Sequence, residues 1–228
     1  GFDIGTDLPT LVNAVSEIPK DFMIRVGMMN PMYMSRIKQN LIESYDNEKV
    51  FKFLHIPVQS GSDKVLNDMK RGHTSETFRE IVKKTKERFE NFTISTDVIV
   101  GFPSETEEDF QKTITLLDET KPDVVNLSKY SARPGTDAAE LKQIDAAEIK
   151  RRSKVIFNQI NKISLKSNEK WIGWKGKVLF DENTEEGIKG RNYAYKPISI
   201  DEKVNIGQSH IVEITKATRK RLIGKIAS

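Results

Sequence analysis

Residues 93–110 read Thr93-Ile94-Ser95-Thr96-Asp97-Val98-Ile99-Val100-Gly101-Phe102-Pro103-Ser104-Glu105-Thr106-Glu107-Glu108-Asp109-Phe110, and this stretch decides the fold. Its first eight residues are β-branched and apolar enough for a strand buried on both faces. Gly101, Phe102 and Pro103 break that strand, because proline cannot donate to a ladder and glycine turns freely. Ser104 to Glu108 then reads as a helix start, with a hydroxyl residue at the cap and acids in the first turn. Strand, glycine turn and acidic helix start make one βα unit, and sites in such folds gather at the carboxyl ends of the strands. Asp97 is a carboxylate inside the apolar run, where an unpaired charge is costly. It reads as a site or hydrogen-bonding residue, or else as an aspartate satisfied by local backbone donors.

The same pattern repeats on either side. Residues 22–28, 50–58 and 123–130 are further strand candidates, and helical spacing of apolar residues marks 8–18, 35–44, a turn or two after Ser62, 74–89, 107–119 and 146–170. At least four strand–helix units with a parallel sheet are therefore expected over the first ~165 residues, half of a (β/α)8 barrel or most of a six-unit partial barrel. Arg25, a cation within the first strand candidate, either pairs with an acid or points to an anionic ligand. The loop Gln59-Ser60-Gly61-Ser62 offers small side chains and backbone N–H groups at a strand end, suited to a polar ligand, though a plain βα loop has the same composition. Arg133 lies in the Pro-Gly loop that leaves the last of these strands. Beyond about residue 168 short β-rich runs alternate with Gly, Asn and Asp turns, the pattern of a small all-β barrel. The expected domains are 1–168 and 169–228.

Composition narrows the chemistry. The chain has no cysteine, so no disulfide and no thiolate metal or iron–sulfur site can be built from its side chains. His55, His73 and His210 stand far apart and none has metal-ligand spacing, so no protein-only metal site is expected. No apolar window is long enough for a membrane span and no secretory signal is apparent, so a cytoplasmic location is expected. The first residue is not methionine, which suggests a fragment or a trimmed chain. Residues 165–228 carry 13 Lys+Arg against 8 Asp+Glu, while the rest is nearly neutral. A basic terminal segment fits polyanion binding, and it fits a solvated lysine-rich surface almost as well.

Specific motifs then appear in order. They are Phe53-Leu54-His55-Ile56-Pro57-Val58-Gln59-Ser60-Gly61-Ser62, Met69-Lys70-Arg71, Asp97-Val98-Ile99-Val100-Gly101-Phe102-Pro103, Glu105-Thr106-Glu107-Glu108-Asp109-Phe110 and Tyr130-Ser131-Ala132-Arg133-Pro134-Gly135-Thr136. Together they closely resemble the radical S-adenosylmethionine methylthiotransferases over essentially the whole chain. The final segment resembles the TRAM domain of those enzymes, a β-barrel that grips tRNA. Arg25-Val26-Gly27-Met28-Met29-Asn30-Pro31 looks like the branch that converts N6-threonylcarbamoyladenosine, next to the tRNA anticodon, to its 2-methylthio form.

The resemblance implies an α/β fold, a partial (half) TIM-like radical SAM barrel followed by a small TRAM barrel. It also implies a full-length transferase that uses S-adenosylmethionine (SAM) and two 4Fe-4S clusters on the tRNA anticodon stem-loop. The family's CxxxCxxC loop and the first barrel strands are not in this chain, so the expectation is a C-terminal part, inactive alone, whose partner is the N-terminal part of the same protein. Ser104 stands where the family usually has glycine. For cofactor binding the resemblance and the strand-end chemistry point to Arg25 facing the SAM carboxylate and to Gln59 and Ser60 in the cleft. Asp97 would meet the ribose or amino group, Ile99 and Gly101 the adenine, and Tyr130 and Arg133 the far wall or substrate. No catalytic residue is assigned.

For RNA the candidates are Lys216, Arg219, Lys220 and Arg221, with Lys189, Arg191 and Tyr193 beside them, since cations take phosphate and an aromatic takes a base. A solvated hairpin tip reads the same way at Arg219 to Arg221, and Lys166, Lys170 and Lys175 read as solvated. Competing readings are a cluster-free RNA-binding or scaffold module, a methylthiotransferase acting on isopentenyladenosine tRNA or a ribosomal protein, and a TIM-type enzyme working through Asp97 and Glu105.

Overall fold

A computed structural model describes residues 1–185 and 187–227. The α/β part begins with helix α1 (Leu8–Ser16) and helix α2 (Pro31–Ser44). Asn30 caps α2 by accepting from Met32 N, and Pro31 starts it four residues earlier than apolar spacing suggests, because proline's fixed φ suits the first helical position. Strand β1 (Phe53–His55) leads to the short helix α3 (Asp63–Asp68), then helix α4 (Ser75–Arg88), strand β2 (Thr93–Val100), helix α5 (Glu107–Thr120) and strand β3 (Val124–Lys129). Thr106 and Asp109 form a capping box at the start of α5, each side chain bonding the other's backbone N–H. One-turn α6 (Asp137–Glu140) and the long α7 (Ala146–Glu169) complete this part.

The three strands are parallel in the order β1-β2-β3, with Phe53 beside Thr93 and Asp97 beside Asn126. The expected fourth strand, residues 22–28, forms only a single bridge from Ile24 to Val50, with Met29 N also donating to His55 O at 3.0 Å. Gly27 and the outward-facing Arg25 interrupt the stretch that would have to stay flat against β1. Regular pairing therefore covers three strands rather than four. Helices α2, α4, α5 and α7 bury Met34, Leu41, Phe78, Ile81, Leu116, Leu117 and Ile156 against the sheet's Leu54, Ile94 and Val98. Full burial contributes about 1.5–3 kcal/mol for each such side chain.

After α7 the chain closes a five-stranded barrel in the order β4-β5-β6-β8-β7. Its strands are β4 (Lys175–Thr184), β5 (Gly187–Arg191), β6 (Pro197–Ile200), β7 (Ser209–Ala217) and β8 (Leu222–Ile226). Alternate residues face inward, so Val178, Phe180, Ile188, Ile198, Val212, Ile214 and Leu222 fill a separate core. Closure pairs both edges of so small a sheet, which removes the template an open edge would offer another chain.

The two parts are bonded to each other. Lys52 N donates to Tyr193 O at 2.8 Å, and the Tyr195 ring packs edge-on to Phe51 and against Phe53, with centroids 4.9 and 5.0 Å away. Lys196 Nζ lies 2.8 Å from Asp123 Oδ1 and also donates to Ser167 Oγ and Asn168 Oδ1. Burial pushes the Asp123 carboxyl up, but Lys196, the Ser167 hydroxyl and the Ile94 N–H outweigh burial and hold it below its usual value. Among the described residues, no helix is long and apolar enough to cross a membrane.

Candidate functional site

Because β1, β2 and β3 are parallel, their carboxyl ends meet on one side of the sheet. A cleft of about 820 Å³ opens there, and Gln59, Asp97, Ile99, Tyr130 and Arg133 line it together with His55, Arg71 and Asn126. Asp97 Oδ1 is its polar centre. Asn126 Nδ2 donates to that oxygen at 2.8 Å, and His55 Nε2 lies 2.9 Å from it. The Asp97 side chain remains 25% exposed, so the carboxylate keeps a face toward the cleft. Neither partner was assigned a role from sequence. His55 carried a signal, as a ring at a strand end, whereas Asn126 meets Asp97 only through β2–β3 register.

Gln59 holds a left-handed φ of 70°, uncommon for a residue with a Cβ. Its backbone continues the ladder, N–H to Asp97 O and C=O from Ile99 N, so the strained residue is fixed from both sides. The side chain is mostly buried, lines the cleft and makes no hydrogen bond among the described residues. Arg71 Nε is likewise buried without a partner. Phe102 and Tyr130 meet edge to face at 5.3 Å and form an aromatic wall.

Three predicted cofactor residues lie elsewhere. Arg25 sits at the opposite, amino end of β1, its guanidinium 5.0 Å from the Phe53 ring and 5.2 Å from the Tyr195 ring. It makes no ion pair among the described residues and does not line the cleft, so neither an acid partner nor a cleft ligand accounts for it. The barrel supplies its partner, a π face. Ser60 is fully buried beneath the loop, accepting from Ser62 N and lying 3.4 Å from Thr113 Oγ1. Gly101, at φ +83°, faces Ile149 of α7, where a Cβ would stand 2.7 Å from Cγ1. Its N–H donates to Glu105 Oε2.

Glu105 in turn meets Arg152 Nη1 at 2.8 Å, and both side chains are nearly inaccessible. Burial pushes the Glu105 carboxyl up despite the Gly101 N–H and Arg152 beside it. This pair anchors the turn behind the cleft and has no face on it. Asp109 is the opposite case. Burial raises its carboxyl, but the Ser62 hydroxyl, Thr106 N–H and hydroxyl, and Lys64 together hold it at about 2.

The RNA candidates on the barrel divide. Lys189 is paired with Glu182, and Arg191 lies 3.6 Å from Asp181 and over the Tyr195 ring. Lys216 and Lys220 are exposed. Arg219 reaches over Phe157 of α7, and Arg221 N donates to Thr218 Oγ1 within the β7–β8 turn. Tyr193 packs on Trp171 and Trp174 and keeps 37% of its surface exposed.

A carboxylate, an uncommitted amide, an aromatic wall and an apolar Ile99 fit a nucleoside with its hydroxyls and planar base. A cysteine-free chain does not fit an iron–sulfur cluster.

Comparison with known proteins follows the same lines. Residues 2–117 match the Radical SAM superfamily. A probable threonylcarbamoyladenosine tRNA methylthiotransferase of Archaeoglobus fulgidus is 44% identical over 225 residues, 97% of this chain and 52% of that protein. A protein of the same description from Methanocaldococcus jannaschii is 44% identical over 99% of this chain and 52% of its own length. The threonylcarbamoyladenosine tRNA methylthiotransferase of Mus musculus is 42% identical over 85% of this chain and 33% of its own. The chain thus spans about half the length of the archaeal relatives, or less for the animal one. Among solved structures, coproporphyrinogen III oxidase from Escherichia coli, described as a radical SAM enzyme, superposes with a TM-score of 0.51 at 16% identity, over 96% of this chain and 55% of that one. That likeness concerns the fold alone.

Proposed function

The chain belongs to the Radical SAM superfamily, and from that premise we propose that it is the cleft-and-barrel part of a tRNA methylthiotransferase. Its reaction is conversion of N6-threonylcarbamoyladenosine beside the anticodon to the 2-methylthio nucleoside, in a cytoplasmic setting. The observation that carries this reading is identity above 40%, over nearly the whole chain, with archaeal proteins described as probable threonylcarbamoyladenosine tRNA methylthiotransferases.

The cleft would hold SAM. When bound, SAM supplies the methyl group and the means of removing hydrogen from the adenine ring. Asp97, oriented by His55 and Asn126, accepts hydrogen bonds from ribose hydroxyls. The free amide of Gln59 serves the polar end of the ligand, and Ile99 presents an apolar edge to the base. Tyr130 and Arg133 border the side open to the tRNA. Ser60 and Gly101 act through backbone placement, and Arg25 ties the sheet to the barrel. The clusters of such an enzyme require thiolates, so their ligands come from sequence other than these 228 residues, and the catalytic cycle needs that sequence too. Residues 169–228 act as the TRAM-type barrel for the anticodon stem-loop.

The test is nucleoside analysis of tRNA from cells in which the gene for this chain is disrupted. The 2-methylthio form should vanish and N6-threonylcarbamoyladenosine accumulate. Unchanged threonylcarbamoyl nucleosides, or loss of a methylthio group from isopentenyladenosine instead, would overturn the assignment.

A further inference from the structure

At the other end of the sheet, where β2 and β3 begin, the α/β part and the barrel enclose a second hollow of about 460 Å³. Six lysines line it, Lys86, Lys121, Lys162, Lys166, Lys170 and Lys196, against three acids, Glu90, Asp118 and Asp123. Two of the lysines are committed. Lys196 holds Asp123, and Lys86 donates to the carbonyls of Thr120 and Lys121. The side chains of the remaining four make no hydrogen bond or ion pair among the described residues.

Their arrangement is informative. Lys162, Lys166 and Lys170 stand at successive four-residue steps on one face of α7 and its C-cap, where like charges repel. Lys121, at the left-handed C-cap of α5, faces the same hollow. Burial lowers the Lys86 ammonium, the Asp123 carboxylate raises it, and the charges of Lys170, Lys121 and Lys196 lower it further. Lysines that outnumber the acids of a concavity by two to one make it complementary to a polyanion. Tyr193 packs on Trp171 of the wall and keeps 37% of its surface exposed, an aromatic face beside the lysines on which a base can stack.

We propose that this hollow is a second RNA contact, holding backbone phosphates of the tRNA on Lys121, Lys162, Lys166 and Lys170 away from the reacting nucleoside. It rests on the reading of the substrate as tRNA. The site lies at the amino ends of the strands, roughly 20 Å along β2 from Ile99 in the cleft, so it anchors RNA and takes no part in SAM binding. Part of the grip on RNA is thus assigned to the α/β body and the joint, beyond the barrel's β7–β8 turn.

Equilibrium binding of tRNA to the full chain across a potassium chloride series tests this. Combined Lys162→Ala, Lys166→Ala and Lys170→Ala should weaken binding at least tenfold and reduce the slope of log affinity against log salt by roughly two. A control carrying Lys83→Ala, Lys84→Ala and Lys142→Ala, with the same charge lost elsewhere, should keep the wild-type slope. Equal slopes for wild type and the first variant, or equal losses in both variants, would overturn the proposal. So would inorganic phosphate at constant ionic strength abolishing the difference between wild type and variant, since that marks a small-anion pocket. The functional reading stands or falls separately on nucleoside analysis, and weakened RNA binding with unaltered nucleosides would remove it while leaving this surface intact.

Discussion

His55 Nε2 lies 2.9 Å from Asp97 Oδ1, across the β1–β2 ladder at the carboxyl end of β1. With Asn126 on the same oxygen, the contact aims a carboxylate into the cleft without burying it. Such a group is placed for a ligand more than for stability. Asp97→Asn should leave the thermal midpoint within a few degrees of wild type. It should weaken SAM binding, read by titration calorimetry on the full chain, by roughly ten- to a hundredfold, the worth of a hydrogen bond to a charged group. Equal affinity in both proteins would remove Asp97 from the ligand site.

Asp109 predicts an acid limb. Its folded value of about 2 lies below the ordinary carboxylate value. The stabilisation is therefore present above the unfolded pKa, near 4, and is lost as pH falls from about 4 to about 2. Urea unfolding should show Asp109→Asn less stable at pH 7 by about 2 kcal/mol, with the gap to wild type closing over that window. A gap constant from pH 5 to 2 would contradict it.

Lys196 and Asp123 join the two parts through a buried pair. Lys196→Met leaves the carboxylate buried with only Ser167 and the Ile94 N–H, a loss of about 3–5 kcal/mol by comparison with other broken buried pairs. Calorimetry should then resolve two transitions, because the barrel has its own core. A single wild-type transition would show that the pair does not couple the parts.

Gly61 permits close approach. A Cβ there would stand 2.4 Å from the Lys112 carbonyl oxygen, which is helix backbone and cannot swing aside. Gly61→Ala should cost about 1–3 kcal/mol by overpacking and should displace Gln59, weakening SAM binding as well. Wild-type stability on chemical denaturation would contradict it.

What the sequence disclosed follows from locality. The β2 unit was legible because β-branched strand, glycine turn and Thr106–Asp109 cap are all written within 18 residues. Barrel strands were legible from their turns. The contact of Arg25 was not legible because Tyr195 arrives from the other end of the chain, and no local signal reports a π face 170 residues away. The His55–Asp97–Asn126 group was only a third visible, since pairing at separations of 42 and 29 residues is a product of sheet register. Lys166 and Lys170 read as solvated because Lys121 and the barrel residues that close the hollow around them come from distant parts of the chain.

The most direct test of the central claim is to place Asp97→Asn in the chromosomal gene and analyse tRNA nucleosides by mass spectrometry, at unchanged protein abundance. The 2-methylthio-N6-threonylcarbamoyladenosine signal should fall at least tenfold, with N6-threonylcarbamoyladenosine rising to match. A wild-type ratio of the two would contradict the account.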